Sequence, residues 1–254
     1  MATWIAHLRV AELCAGGLRL DGAAFAVGSV APDSGTYDPH AHTYLPPQEV
    51  THYYTQGVAG FPIADADFYR DHLTDPSLRE KDLESYSFRL GYLTHLLTDA
   101  LWRHAVHQPS KRLHREEMGA DRDFVFTMKR DWYGLDYEYL LNNPDWGYWP
   151  KFREARYRRQ LVEFLTVDLV SQKHSAIVAQ YECPRAELER RSADRPHKYL
   201  SERHMSRFVR RAAGEVKAIL LDMPYPEVER HQFRSLIQIH RARVSGHEVR
   251  ITNA

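Results

Sequence analysis

Several things are scarce in this chain of 254 residues. Cysteine is nearly absent. Cys14 and Cys183 provide neither a disulfide framework nor a Cys-x-x-Cys metal knuckle. No apolar run approaches the ~18 residues of a membrane span, and no basic-then-apolar signal opens the chain, so a cytoplasmic protein is expected. Net charge is lacking too, since 34 Lys and Arg balance 34 Asp and Glu. That balance argues against a nucleic-acid coat, and neither nucleic acid nor a stable membrane association is expected. Strand-like alternation persists nowhere except in a short candidate near 246–252, which leaves an all-α chain.

What is present is unevenly arranged. Residues 1–150 carry 13 Lys and Arg against 21 Asp and Glu, and residues 151–254 carry 21 against 13. A hydrophobic content of 43% is ample for a core. We read one helical domain over 1–254, with a metal-site half (1–150) and a basic helical extension (151–254) packed on it.

The stretch from Gly91 to Val106 is apolar nearly all round, as a buried helix would be, yet it contains His95 and Asp99. Four residues apart, these share one helix face. A buried carboxylate needs a cation, a metal or a hydrogen-bond network. A hydrogen-bonded His–Asp pair in a core would also satisfy it. Other ligand-type residues stand in pattern-breaking places. His7 shares the inward face of a helix over 4–15 with Trp4, Leu8 and Ala11, Thr3 being the candidate N-cap and Gly16-Gly17 the stop. Asp33 follows Pro32 in a Pro- and Gly-rich loop running to Pro47. Such a loop either lines a site or, at Pro-Asp-Ser-Gly, forms an Asx turn. His40 and His42 in that loop are expected to face solvent, and His52 stands where the chain leaves it.

Further helices are expected over 23–30, 64–74, 78–107 (opened by a Ser77-Leu-Arg-Glu80 capping box) and 121–142, the segment 108–119 being a polar connection. On the last of these helices Asp131 and Glu138, seven residues apart, share a face, either as extra metal ligands or as an acidic solvated stripe. Trp146 to Pro150 forms an aromatic loop that caps a core or walls a cleft. Beyond it, helices are expected over 150–166, 168–182, 185–194, 201–222 and 226–243. Their arginine runs are surface stripes, salt-bridge partners for the acidic half, or a lure for an anionic substrate.

The ordered set His7, Gly28-Ser-x-x-Pro32-Asp33, Thr51-His52 and Gly91-Tyr-x-x-His95-x-x-x-Asp99 resembles the zinc-dependent phospholipase C family, and more distantly the single-strand-specific zinc nucleases. Asp131-x-Tyr-x-x-x-x-Glu138-Tyr-Leu-x-x-x-Pro-Asp-x-Gly-Tyr148 is similar to an intracellular bacterial branch of that family. The resemblance implies a multi-helix bundle with two or more zinc ions at the floor of a cleft. Asp33, His52, His95 and Asp99 would surround one ion, and Asp99 would bridge to another held by His7. Secreted members use the amino group of an N-terminal Trp as a ligand, whereas Trp4 here follows Met-Ala-Thr. For a remaining zinc, His104 points away on a straight helix, so Asp131 or Glu138 would have to serve.

A di-iron bundle would need a pair of Glu-x-x-His motifs, and the chain has only Glu49-x-x-His52. A His-Asp phosphohydrolase would need an adjacent pair, and none occurs. The reading that follows is a zinc-dependent hydrolase of a small anionic phosphoester, with metal-bound water as nucleophile and Asp33 orienting or deprotonating it. The alternative is a non-catalytic metal-binding or interaction protein that retains part of the zinc cluster.

Overall fold

In a computed structural model of the chain, residues 1–40, 43–121, 123–230 and 233–245 are described. The architecture is built round the expected central helix, α6 (Leu83–Trp102), in which every residue from Leu90 to Trp102 is buried. Its leucines at 93, 96 and 97 are fully enclosed, each such side chain stabilising the fold by roughly 1.5–3 kcal/mol. Against α6 pack α1 (Trp4–Ala15) and α2 (Gly22–Gly28). The α2–α6 crossing is unusually close. A side-chain carbon on Gly28 would strike the carbonyl of Phe88, and one on Gly91 the carbonyl of Phe25. Only glycine permits that backbone-to-backbone approach.

The loop after α2 is more ordered than expected. A 3-10 turn (Ala31–Asp33) leads into an antiparallel hairpin, β1 (Thr36–Asp38) with β2 (Thr43–Leu45), in which Tyr37 faces Tyr44. Each strand is too short to show alternation, and among the described residues the all-α expectation holds apart from this hairpin. A short α3 (Gln48–Thr51) follows, with His52 at its C-terminal end, and then α4 (Asp65–Leu73). His42 and the candidate strand near 246–252 lie outside the described residues.

The helix expected over 78–107 is broken at both ends. Ser77 makes no side-chain cap, and α5 (Leu78–Lys81) is a separate turn. Asp82 starts α6 by accepting from the Ser85 N–H at 3.0 Å, because an Asp with non-helical dihedrals is a better cap than a serine with helical ones. At the other end α6 passes into a π turn (Arg103–His107). The polar connection holds two short helices, α7 (Gln108–Leu113) and α8 (Arg115–Ala120), before α9 (Phe124–Asn142).

In the basic extension α10 (Tyr148–Glu154) ends early, and 155–166 are not helical. Then come α11 (Val167–Tyr181), α12 (Arg185–Ala193), α13 (Glu202–Leu221) and α14 (Leu236–Val244), a 3-10 turn at Pro226–Arg230 preceding the last. Ser201 caps α13 by accepting from the His204 N–H. α13 lies on α1 and α6, and α12 on α9.

Candidate metal centre

α1, the 3-10 turn, the end of α3 and α6 deliver five side chains to one point: His7, Asp33, His52, His95 and Asp99. Inside the cluster, His95 Nε2 lies 3.3 Å from His52 Nε2 and 3.5 Å from Asp99 Oδ2. His52 Nε2 is 3.3 Å from Asp33 Oδ1 and 3.8 Å from Asp99 Oδ2. On the opposite side, His7 Nε2 is 3.2 Å from Asp99 Oδ1. The two carboxylate oxygens of Asp99 therefore face different histidines. The His7 and His95 rings stack at 3.8 Å with a 4° interplanar angle. Their ligand atoms fall into two overlapping groups, His7/His95/Asp99 and Asp33/His52/His95, each within 4.8 Å.

Neighbours fix each ligand. His95 Nδ1–H donates to the Ser29 carbonyl at 2.9 Å, which leaves a lone pair on Nε2 aimed inward whenever the ring is neutral. Tyr92 donates from its hydroxyl to the Thr51 carbonyl, and the Thr51 hydroxyl meets His52 Nδ1 at 2.9 Å. Tyr53, next in sequence, has a left-handed backbone (φ 49°), turning the chain sharply after the ligand. Trp4 Nε1–H donates to Asp33 Oδ2 at 2.7 Å, and the Ala2 N–H to Asp99 Oδ1 at 2.7 Å.

Several inward atoms are left without a hydrogen bond: both ring nitrogens of His7, Asp33 Oδ1 and Asp99 Oδ2. His7 Nε2 is close to Asp99 but poorly aligned for one. Orphaned polar atoms in a closed interior are costly, and imidazole with carboxylate is a donor set that zinc accepts. The residues present fit zinc. Electrostatics agree. Burial, with the charge of His95, pushes His7 down to about 4, so it is neutral and able to ligate. Burial alone would raise Asp99 and Asp33. The N-terminal amino charge and the histidines outweigh it for Asp99, and His52 and His95 for Asp33, holding both well below the usual carboxylate range. His95 is raised, because Asp99 overcomes the effect of burial.

Among known families, the zinc-dependent phospholipase C model matches residues 3–163, a span that contains all five side chains. The chain belongs to the zinc-dependent phospholipase C family. No curated protein and no solved structure matches it. The cluster lies at the floor of a pocket of about 190 Å³ lined by Asp33, His52, Trp4 and Tyr133. His7, His95 and Asp99 lie beneath that floor.

Two expected ligands are elsewhere. Asp131 accepts backbone N–H groups from His197 (2.7 Å), Tyr199 (2.6 Å) and Leu200 (2.8 Å), and Glu138 lies 3.4 Å from Arg195 Nη1. Both anchor the segment after α12 to α9 rather than join the cluster. His104, in the π turn after α6, is exposed against Phe61. His40 is exposed, as expected. Among the described residues no helix is long and apolar enough to cross a membrane.

Sequence reasoning missed Trp4 as the donor to Asp33, although its spacing from His7 placed both on one face. It also missed Asp136, which accepts from Thr3 Oγ1 (2.5 Å) and Tyr181 Oη (2.6 Å) and so ties down the start of α1. Thr3 thus spends its hydroxyl on Asp136 instead of capping α1. Trp146 caps the core, its Nε1–H donating to Glu12 at 2.6 Å.

Proposed function

We propose that this protein is a zinc-dependent hydrolase of a phosphoester. The observation that carries the reading is the set of orphaned, inward-facing imidazole and carboxylate atoms directly beneath a solvent-open pocket. His7, His52, His95, Asp33 and Asp99 would hold the metal, Asp99 offering one oxygen to each side. Zinc bound there would act as a Lewis acid and bring the ionisation of a water near neutral pH. Asp33 is the least enclosed of the carboxylates. Fixed by Trp4 and ionised, it accepts a hydrogen bond from the attacking water and orients it. Neutral His7 keeps a lone pair available in the interior. The carbonyl of Ser29 and the Thr51 hydroxyl set the angles of His95 and His52.

The favoured substrate is a small, soluble, anionic phosphoester. A phospholipid is a second reading with its own support. Tyr44 and Met1 line the mouth, and Tyr37, Leu45 and Val50 in the same hairpin and following helix are exposed, as residues that touch a bilayer would be. The aromatic segment 146–150, which runs into α10, supports neither, since Trp146 is packed inward.

Elemental analysis of the purified protein, with hydrolysis of a soluble aryl phosphodiester and of phosphatidylcholine vesicles, tests the proposal. Zinc at one or more equivalents and turnover lost on chelation are expected. Bound zinc with no turnover of any phosphoester would replace the hydrolase with a non-catalytic metal protein.

A further inference from the structure

The mouth of the pocket carries two cations that the metal chemistry does not use. Lys129 projects from α9, one turn before Tyr133, and Lys173 from α11, the helix that packs on the 3-10 turn bearing Asp33. Both line the pocket and both are half-buried. Lys173 Nζ lies 5.1 Å over the ring of Trp4, and Lys129 Nζ 5.9 Å from the ring of Phe126. Among the described residues neither has a carboxylate within ion-pair distance.

Several arginines of the basic extension are held by carboxylates: Arg159 by Asp82 and Glu84, Arg190 and Arg191 by Glu187, Arg243 by Glu227 and Asp222. Others, such as Arg156, Arg158, Arg207, Arg210 and Arg211, have no carboxylate partner among the described residues but lie outside the pocket. None of the arginine runs lines the pocket. A partly desolvated ammonium favours an anionic partner over water more strongly than an exposed one does. Two of them, on different helices and facing one small cavity, define a place for negative charge outside the metal cluster.

We infer that Lys129 and Lys173 form an anion subsite at the pocket mouth, selecting phosphoesters that carry a second anionic group, such as a phosphate, on the alcohol attached to the reacting phosphorus. This rests on the hydrolase reading and names its substrate class. It disfavours alcohols ending in a quaternary ammonium. The same chemistry could be supplied by a soluble bisphosphate or by a phosphorylated lipid headgroup.

The full chain loaded with zinc is titrated calorimetrically with glycerol 3-phosphate and glycerol 1,3-bisphosphate. The bisphosphate should bind at least about tenfold tighter, the scale of one charge-assisted contact. In Lys129→Gln/Lys173→Gln the preference should fall to near one, and Lys129→Arg/Lys173→Arg should retain it. Equal preference in the wild type and the Gln variant overturns the subsite. In parallel, kcat/KM is compared for soluble phosphodiesters ending in phosphate or in trimethylammonium. Phosphatidylcholine vesicles with and without phosphatidylinositol phosphate form the lipid arm. A preference confined to vesicles assigns the anion to a headgroup, and one seen in solution assigns it to a soluble ester. Absence of turnover on every substrate would end the hydrolase reading, while the calorimetric preference still decides the subsite.

Discussion

Two sets of buried acids stand about α9 and α6, and the protein treats them differently. Asp131 and Asp136 on α9 receive their hydrogen bonds from the protein: three backbone N–H groups for the first, and Thr3, Tyr181 and Ile5 for the second. Asp99 on α6 and Asp33 beside it each keep an oxygen with no hydrogen-bond donor, turned towards imidazoles. Burial of a carboxylate therefore does not mark a metal site by itself. What sets the candidate centre apart is unmet acceptors facing other unmet ligand-type atoms.

The contrast can be broken most sharply at Asp99. Asp99→Ala should remove most of the bound zinc, whereas Asp131→Asn should leave it in place, with elemental analysis of both purified variants as the check. Equal zinc in the two variants would erase the distinction. The next effect is on stability. Asp131→Asn sets an amide N–H against a backbone donor and should cost about 1–3 kcal/mol in denaturant unfolding, with or without chelator. A loss seen only in the presence of zinc would make Asp131 part of the metal centre after all. Trp4→Phe keeps the apolar ring and deletes the donor to Asp33. Zinc affinity should fall about 10–100-fold by competition with a chelator, as for other partners of metal ligands.

The last effect concerns pH. Burial pushes Asp136 and Asp65 up to about 7. A carboxyl raised on folding holds its proton in the native state after the unfolded chain has lost it at about 4. Its contribution is thus full below that value and is lost as pH rises towards 7. Chelator-treated protein should lose up to about 1.4 kcal/mol per pH unit for each group across this window. Asp65→Asn, remote from the cluster and bonded to the Leu236 N–H, should flatten the slope. The depressed Asp33 and Asp99 have the opposite sign, their contribution disappearing only as pH falls below about 4. An unchanged slope in Asp65→Asn would show that its carboxyl is ionised throughout.

Much of this candidate centre was legible in the sequence because its side chains interrupt strong patterns. His95 and Asp99 sit in an otherwise apolar helix, and His7 lies on the inward face of a short one. Asp131 shows why the rest was not. Its position on a helix is readable, but its partners are backbone groups more than sixty residues away, and no side-chain pattern announces them. The hairpin escaped notice because three-residue strands carry no periodicity. The break before α6 turned on a competition between Ser77 and Asp82 as caps, decided by dihedrals that the sequence does not display. Lys129 and Lys173 escaped because nothing in the sequence around either one links α9 to α11, while arginines in runs drew attention to surfaces that do not line the pocket.

The glycine contact between α2 and α6 has a consequence for how this protein can change over generations. Gly28 stands five residues before Asp33, and Gly91 one turn before His95. The separation of those two ligands is therefore gauged by main chain resting on main chain. Side chains elsewhere in the core can be exchanged, enlarged or trimmed, and stability will wander with them, while the distance between the two ligands stays put. Drift in the packing is uncoupled from drift in the chemistry. A lineage carrying these two glycines is free to explore new pocket walls, and hence new substrates, without having to rediscover its centre each time.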